Sequence, residues 1–355
     1  MVNFAFEEIT ERNMLRSNPD AGLLFLIFTL FFSCGGGTEE EVNIYTHRHY
    51  DADQELFARF TEMTGIKVNV VNASADELIQ KLELEGENSP ADILITVDAG
   101  RLVRAEQNGL FQPIQSEIIE KNIPAKFRDP EGYWTGLTFR ARILAYSKDR
   151  VDPSTLSTYE DLASDTWKGR ILTRSSGNIY NQSLLASIIA ANGPEAAEEW
   201  AADVRANMAR APKGSDRDQV KAVASGEGDI AIVNSYYIGL MLNDENPEEV
   251  KAAEQVGIFF PNQEGRGTHI NISGAGVARH APNKENAIRL IEYLSEEEAQ
   301  SLLANQNFEF PINPRVEKSS LLQSWGDFKG DDINLSVLGE KNKEAVMIFD
   351  RVGWE

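Results

Sequence analysis

Asp229-Ile230-Ala231-Ile232-Val233-Asn234-Ser235-Tyr236-Tyr237 has the pattern of a buried strand that runs straight into a helix opening at Ser235. A continuous apolar run of this length, rich in β-branched residues, suits a strand covered on both faces. A strand feeding a helix is the repeating step of an α/β sheet, and residues at such a junction stand on the rim where these sheets bind ligands. Two adjacent phenols are thereby placed on the rim. A plainer arrangement also fits the same residues, with one ring packed inward and its neighbour facing water.

Outward from this junction the same alternation covers the chain from Glu41 onward. Val42-Asn43-Ile44-Tyr45 is a first strand, and Gln54 to Met63, apolar at Leu56, Phe57, Phe60 and Met63, is the helix after it. Ile66 to Val71 and Asp92 to Thr96 are the next strands; helices follow them over Ala75 to Leu84 and over Gly100 to Asn108, the latter closed by Gly109. Around Tyr133 to Tyr146 the rhythm changes to two strand-like segments without a helix, Gly136-Leu137-Thr138-Phe139 and Arg142-Ile143-Leu144-Ala145-Tyr146, which suits a crossing between lobes.

Beyond it come a strand at Arg170 to Thr173, a helical stretch from Gln182 to Met208 broken at Gly193-Pro194, a helix at Val220 to Ser225 and a strand at Val256 to Phe260. Ile270 to Val277 is a strand placed to cross back, followed by helices over Lys284 to Tyr293 and Val337 to Phe349, with Trp354 expected to be buried. A chain of 355 residues exceeds one ordinary core, so an α/β protein with a parallel sheet in two lobes of roughly 120 to 180 residues is expected. Residues 41–140 with 270–318 are assigned to the N-terminal lobe, and 141–269 with 319–355 to the C-terminal lobe.

The 34 basic and 56 acidic residues give a net charge of −22, which argues against nucleic acid as a partner and against electrostatic docking on anionic lipid. Residues 1–40 have the character of an export segment and short linker. Leu23 to Phe32 is an uncharged apolar run, too short to span a bilayer as a helix but suited to the h-region of a signal peptide. Cys34, the single cysteine, cannot form an internal disulfide or half of a zinc knuckle. Its place after the apolar run resembles the lipobox of bacterial lipoproteins, although Leu30 stands one place from the usual leucine position. Glu7, Glu8 and Glu11 do not suit a positive n-region, and Met14-Leu15-Arg16 would make a better start. A periplasmic protein, lipid-anchored through Cys34 or released, is the expectation.

No GxSxG elbow, GxGxxG, P-loop or HExxH occurs, so no enzyme is expected. Asp51, Asp53 and Glu55 have the spacing that opens a calcium loop but lack its glycine and distal glutamate; a charged helix N-terminus explains them better. His49 and Tyr50 follow the first strand, and Tyr180 follows the Ile171 strand and precedes a helix, which puts both on the ligand side together with the tyrosine pair. Taken singly, each also suits an ordinary loop or helix-start residue. If all meet, four phenols and one imidazole form an oxygen-rich site that favours a hard, highly charged cation. Phenol has a pKa near 10 in water, and a trivalent ion lowers it enough for deprotonation at neutral pH. Ferric iron is the natural candidate. Four phenolates around Fe3+ leave one net negative charge, and Arg48, Arg140 and Arg142 are candidates to offset it; each also suits a surface or hinge charge.

From Asn43 to its end the chain resembles the ferric-ion-binding proteins of bacterial ABC uptake systems, the bacterial transferrins. His49-Tyr50, Ala91 to Leu102, Gly136 to Arg142, Trp167-Lys168-Gly169-Arg170, Tyr180-Asn181-Gln182 and Asn234-Ser235-Tyr236-Tyr237 carry the likeness together. The resemblance implies a two-lobed type II periplasmic-binding-protein fold with a hinge and an interlobe cleft. It further implies metal ligation by Tyr50, Tyr180, Tyr236 and Tyr237, with His49 as an optional fifth ligand, and delivery of Fe3+ by a monomer to an ABC transporter permease in the inner membrane. Val97 stands where some members carry a glutamate, so a required synergistic anion is not implied. The alternative is a receptor for a small organic or oxyanion solute that the tyrosines stack on or hydrogen-bond.

Overall fold

The computed structural model describes residues 40–48 and 50–355. The export segment with Cys34, and His49, lie outside the described residues. Ten strands are present among those described: β1 (Glu41–Thr46), β2 (Lys67–Asn72), β3 (Ile93–Val97), β4 (Phe111–Gln112), β5 (Thr135–Ser147), β6 (Ile171–Leu172), β7 (Ile230–Asn234), β8 (Val256–Phe259), β9 (Ile270–Ala278) and β10 (Phe310–Pro311). Their order is β2-β1-β3-β9-β5-β7-β6, with β4 on β9 and both β8 and β10 on β5.

The sheet is mixed, where the sequence pattern suggests a parallel one. β1 pairs in parallel with β2 and β3, and β6 with β7, while β9 runs antiparallel to β3 and β5, and β5 antiparallel to β7. Hydrophobic runs reveal burial on both faces but not direction, so this difference was not in the pattern. The helices that follow the strands cover the sheet with two apolar clusters.

β5 organises everything else. The two strand-like segments of the sequence are one continuous strand of 13 residues. Its first half pairs with β9 (Thr135 opposite Ala275, Arg140 opposite Asn271) and its second half with β7 (Arg142 opposite Asn234, Tyr146 opposite Ile230). Following the strand directions outward from β5, β1 and β3 point one way and β6 and β7 the other. The carboxyl end of β3, Val97, is opposite Ser273, which is itself opposite Thr138; the carboxyl end of β7 is opposite Arg142. Strand ends that carry ligand-side residues therefore face one another across the middle of β5, around residues 138–142.

Local chemistry explains most helix ends. Asp51 and Asp53 occupy the first turn of the Asp51–Thr64 helix, favourable to its dipole, and Gly65 ends it in the left-handed conformation at φ 75°. The expected Val337 to Phe349 helix is two helices, Ser336–Glu340 and Asn342–Val352. Trp354 is buried against Trp200 and Phe349.

Candidate metal centre

Each tyrosine is held by the element that follows a strand end. Tyr50 directly precedes the Asp51–Thr64 helix after β1. Tyr180 lies in the first turn of the Ile179–Asn192 helix, where the Asn178 side chain accepts its backbone N–H at 3.1 Å. Tyr236 and Tyr237 lie in the first turn of the Ser235–Leu242 helix, directly after β7. Ser235 Oγ accepts the backbone N–H of Ala141 at 3.3 Å, tying that helix to the centre of β5.

The phenols converge. Tyr180 Oη is 3.4 Å from Tyr236 Oη, and the rings of Tyr236 and Tyr237 stack with centroids 4.2 Å apart. Tyr50 is an electrostatic neighbour of both Tyr180 and Tyr236. Tyr236 is buried and the other three partly buried. Burial, reinforced by Tyr180, Tyr237 and Tyr50, pushes the Tyr236 phenol well above its ordinary pKa. Burial and the Glu309 carboxylate do the same to Tyr50; burial and Tyr180 do so for Tyr237, opposed by Arg174. These three are protonated at neutral pH without a bound cation, and an ion must carry enough charge to displace their protons.

Arg48, Arg140 and Arg142 are at the cluster, and all three are buried rather than surface charges. Their guanidinium carbons lie 4.5 Å from the ring centre of Tyr50, 5.7 Å from that of Tyr236 and 5.9 Å from that of Tyr180 respectively. Each is already matched by a carboxylate. Arg48 is bidentate on Asp53, with Nε 2.9 Å from Oδ2. Arg140 pairs with Glu309, whose other oxygen accepts Thr138 Oγ1 at 2.7 Å. Arg142 Nη1 lies 3.1 and 3.2 Å from the two oxygens of Asp216; it also donates to Asn234 Oδ1 at 3.2 Å, and Nη2 donates to Asn181 Oδ1 at 2.8 Å. Burial opposes the charge on Glu309, but Arg140 and Arg48 outweigh it and hold the carboxyl below its usual pKa. The arginines thus orient the rings and their neighbours without adding net charge.

Sequence reasoning missed Glu309, Asp216 and Arg174. Glu309 follows Phe308, which sits at φ 55°, in a segment with no motif; its role depends wholly on tertiary placement. Gly239 is the contact that seats this segment, because a Cβ there would stand 2.5 Å from Phe308 Cβ. At the end of β3, Val97 is buried and offers no oxygen ligand from its side chain. Asp98 does not replace the missing carboxylate. Its Oδ1 accepts Gly100 N–H at 2.9 Å and Ser183 Oγ at 2.7 Å, and its Oδ2 accepts Ser183 Oγ at 2.9 Å and Asn271 Nδ2 at 2.8 Å. Among the described residues no group of three or more His, Cys, Asp or Glu side chains could hold a metal ion. The chemistry on offer is that of phenol oxygen, which suits a hard, multiply charged cation.

Residues 88–329 match the family model described as bacterial extracellular solute-binding protein. The chain is 50% identical over 319 residues to iron uptake protein A1 of Synechocystis, covering 90% of this chain and 89% of that protein. A Trichodesmium FutA solved in complex with iron and citrate ligands is 51% identical, with a TM-score of 0.86 over 89% of this chain and 100% of the other. The ferric binding protein of Campylobacter jejuni is 47% identical, with a TM-score of 0.85 over 88% of this chain and 100% of the other. These structures have the two-lobed type II fold, and this chain shares it. The chain belongs to the bacterial extracellular solute-binding proteins, among relatives that are iron uptake and ferric-binding proteins.

Proposed function

We propose that this protein binds Fe3+ as cargo through the phenolate oxygens of Tyr50, Tyr180, Tyr236 and Tyr237 and delivers it to an ABC-type permease of the inner membrane. The observation that carries this reading is the convergence of four phenols from three separate strand ends, at a place without a His, Cys, Asp or Glu cluster among the described residues. His49 is an additional ligand in this reading. Residues 41–140 with 270–318 form one lobe and 141–269 with 319–355 the other, so that Tyr50 approaches the remaining three phenols from across the cleft. Closure around the ion excludes water and strengthens every charge interaction inside, so the ion favours the closed state by its differential affinity. The protein acts as a periplasmic monomer, with Cys34 as the anchor point where lipidation occurs.

Ferric phenolate absorbs visible light by charge transfer from oxygen to iron. Titration with Fe3+ is expected to colour the protein to a one-to-one endpoint, and a saturated sample without colour would overturn the assignment. Mass measurement of the mature N-terminus tests the anchor.

A further inference from the structure

Four arginines, not three, lie over the rings of the phenol cluster. The guanidinium carbon of Arg174 is 5.8 Å from the ring centre of Tyr180, on the loop between β6 and the helix that carries that tyrosine. It differs from the others in having no matching anion: among the described residues no carboxylate lies within ion-pair distance of it, whereas Arg48, Arg140 and Arg142 hold Asp53, Glu309 and Asp216. Its Nε is buried and has no hydrogen-bond partner among the described residues. The local backbone is fixed independently of the side chain, because the Arg174 carbonyl accepts both Asn181 Nδ2 at 2.7 Å and Trp354 Nε1 at 3.1 Å.

A charge count gives this difference its meaning. Three positive charges on the ion and four negative ones on the phenolates leave the complex with one negative charge. The three arginine–carboxylate pairs sum to zero. We infer that Arg174 supplies the compensating positive charge for a ferric tetraphenolate complex, acting through space as a positioning and charge-balancing residue rather than as a ligand. This rests on the ferric reading above, and it assigns the balancing role to a residue other than the three arginines singled out from the sequence. Before an ion arrives, a cation with no carboxylate within ion-pair distance among the described residues lies partly buried beside the rings, and this favours arrival of an anionic complex.

The sign of each consequence is fixed by electrostatics. A cation near the phenolates stabilises the negatively charged complex, so its removal weakens Fe3+ binding. It also lowers the energy of the donor orbitals on the phenolate oxygens, so its removal moves the charge-transfer band to longer wavelength. Finally, it favours the ferrous complex, which carries one more negative charge, over the ferric one, so its removal makes the bound iron harder to reduce.

The test compares the wild-type protein with Arg174→Gln and Arg174→Lys. Fe3+ affinity is measured by competition with citrate, the band by absorption, and the reduction potential by mediated spectroelectrochemical titration. Arg174→Gln is expected to bind Fe3+ roughly ten- to a hundredfold more weakly, the scale for unit charges several ångströms apart at an effective dielectric constant of about 20. It should also show a red-shifted band and a lower potential, and Arg174→Lys should restore most of all three. Arg174→Met repeats the measurement should the glutamine variant not fold. Unchanged affinity, band and potential in the neutral variants would overturn the assignment, as would a lysine variant as impaired as the glutamine one, since packing and not charge would then be responsible. A wild-type protein that takes up no Fe3+ removes the ferric reading itself, an outcome separate from any difference among the variants.

Discussion

Tyr50 and the trio of Tyr180, Tyr236 and Tyr237 belong to the same cluster but are held by different means. Tyr50 is positioned by Arg48, which is itself fixed by Asp53 on the next helix, an arrangement local to residues 48–53. The trio is positioned by residues distant in sequence: Arg142 on β5 reaches Asn181 beside Tyr180, Asn234 beside the tyrosine pair, and Asp216. A single side chain therefore ties together the elements that bear three of the four phenols. The trio is held together by one shared side chain, and Tyr50 is held apart from it by a local pair.

The largest expected effect falls on that shared anchor. Arg142→Met leaves Asp216 buried without its cation, with only the Asn234 backbone N–H at 3.4 Å still on it, and should cost about 5 kcal/mol of stability in urea denaturation, the upper end for breaking a buried pair. Arg48→Met should cost less, because its contacts are local. Equal losses would erase the distinction between the two regions. Tyr236→Phe comes next: it keeps the ring packing, so stability should change by under about 1 kcal/mol, while Fe3+ affinity falls a thousandfold or more, about 4 kcal/mol. A variant that fails to fold would instead mark Tyr236 as a core residue.

Tyr50→Phe should leave a coloured, open half-site with affinity reduced about a hundredfold, or about 2.7 kcal/mol. Proton counting sharpens this contrast. Tyr50, Tyr236 and Tyr237 all have raised phenol pKa values, so in the proposed ferric complex each has given up a proton that it holds near pH 7 without the ion. Affinity then rises with pH and falls as the solution is acidified. At fixed free Fe3+ the slope should be at least about a thousandfold per pH unit in the wild type and about tenfold shallower in Tyr50→Phe, measured by pH-dependent chelator competition. The smallest change belongs to His49→Ala, expected to weaken binding by less than about tenfold, or about 1.4 kcal/mol, as fits an auxiliary ligand. A loss equal to that of Tyr50→Phe would make the histidine an equal partner.

The parts legible in the sequence were those encoded locally. The run Ile230 to Val233 announces a buried strand, and its junction with Ser235 fixes the tyrosine pair at a strand end. The same logic placed Tyr50 and Tyr180. What stayed hidden depends on partners far along the chain. Arg140 and Arg142 were visible as charges near a crossing, but their burial and neutralisation by Glu309 and Asp216 require pairings across 169 and 74 positions. β5 looked like two segments because periodicity records burial and not strand continuity. Arg174 gave no sign at all, since its distinguishing property is that no carboxylate among the described residues lies within ion-pair distance of it, which no local pattern encodes.

Gly239 has a consequence for how this site can vary. It contributes no oxygen and no charge, yet the smallest change open to it adds a methyl group against Phe308, whose backbone is already in the left-handed region and has few other conformations available. Movement there is transmitted to Glu309 in the next position, and from Glu309 to Arg140 over Tyr236. A mutational survey confined to the tyrosines and their arginines would pass over this position. Libraries that alter the ion preference of the site have to keep glycine at 239, or change 239 and 308 together.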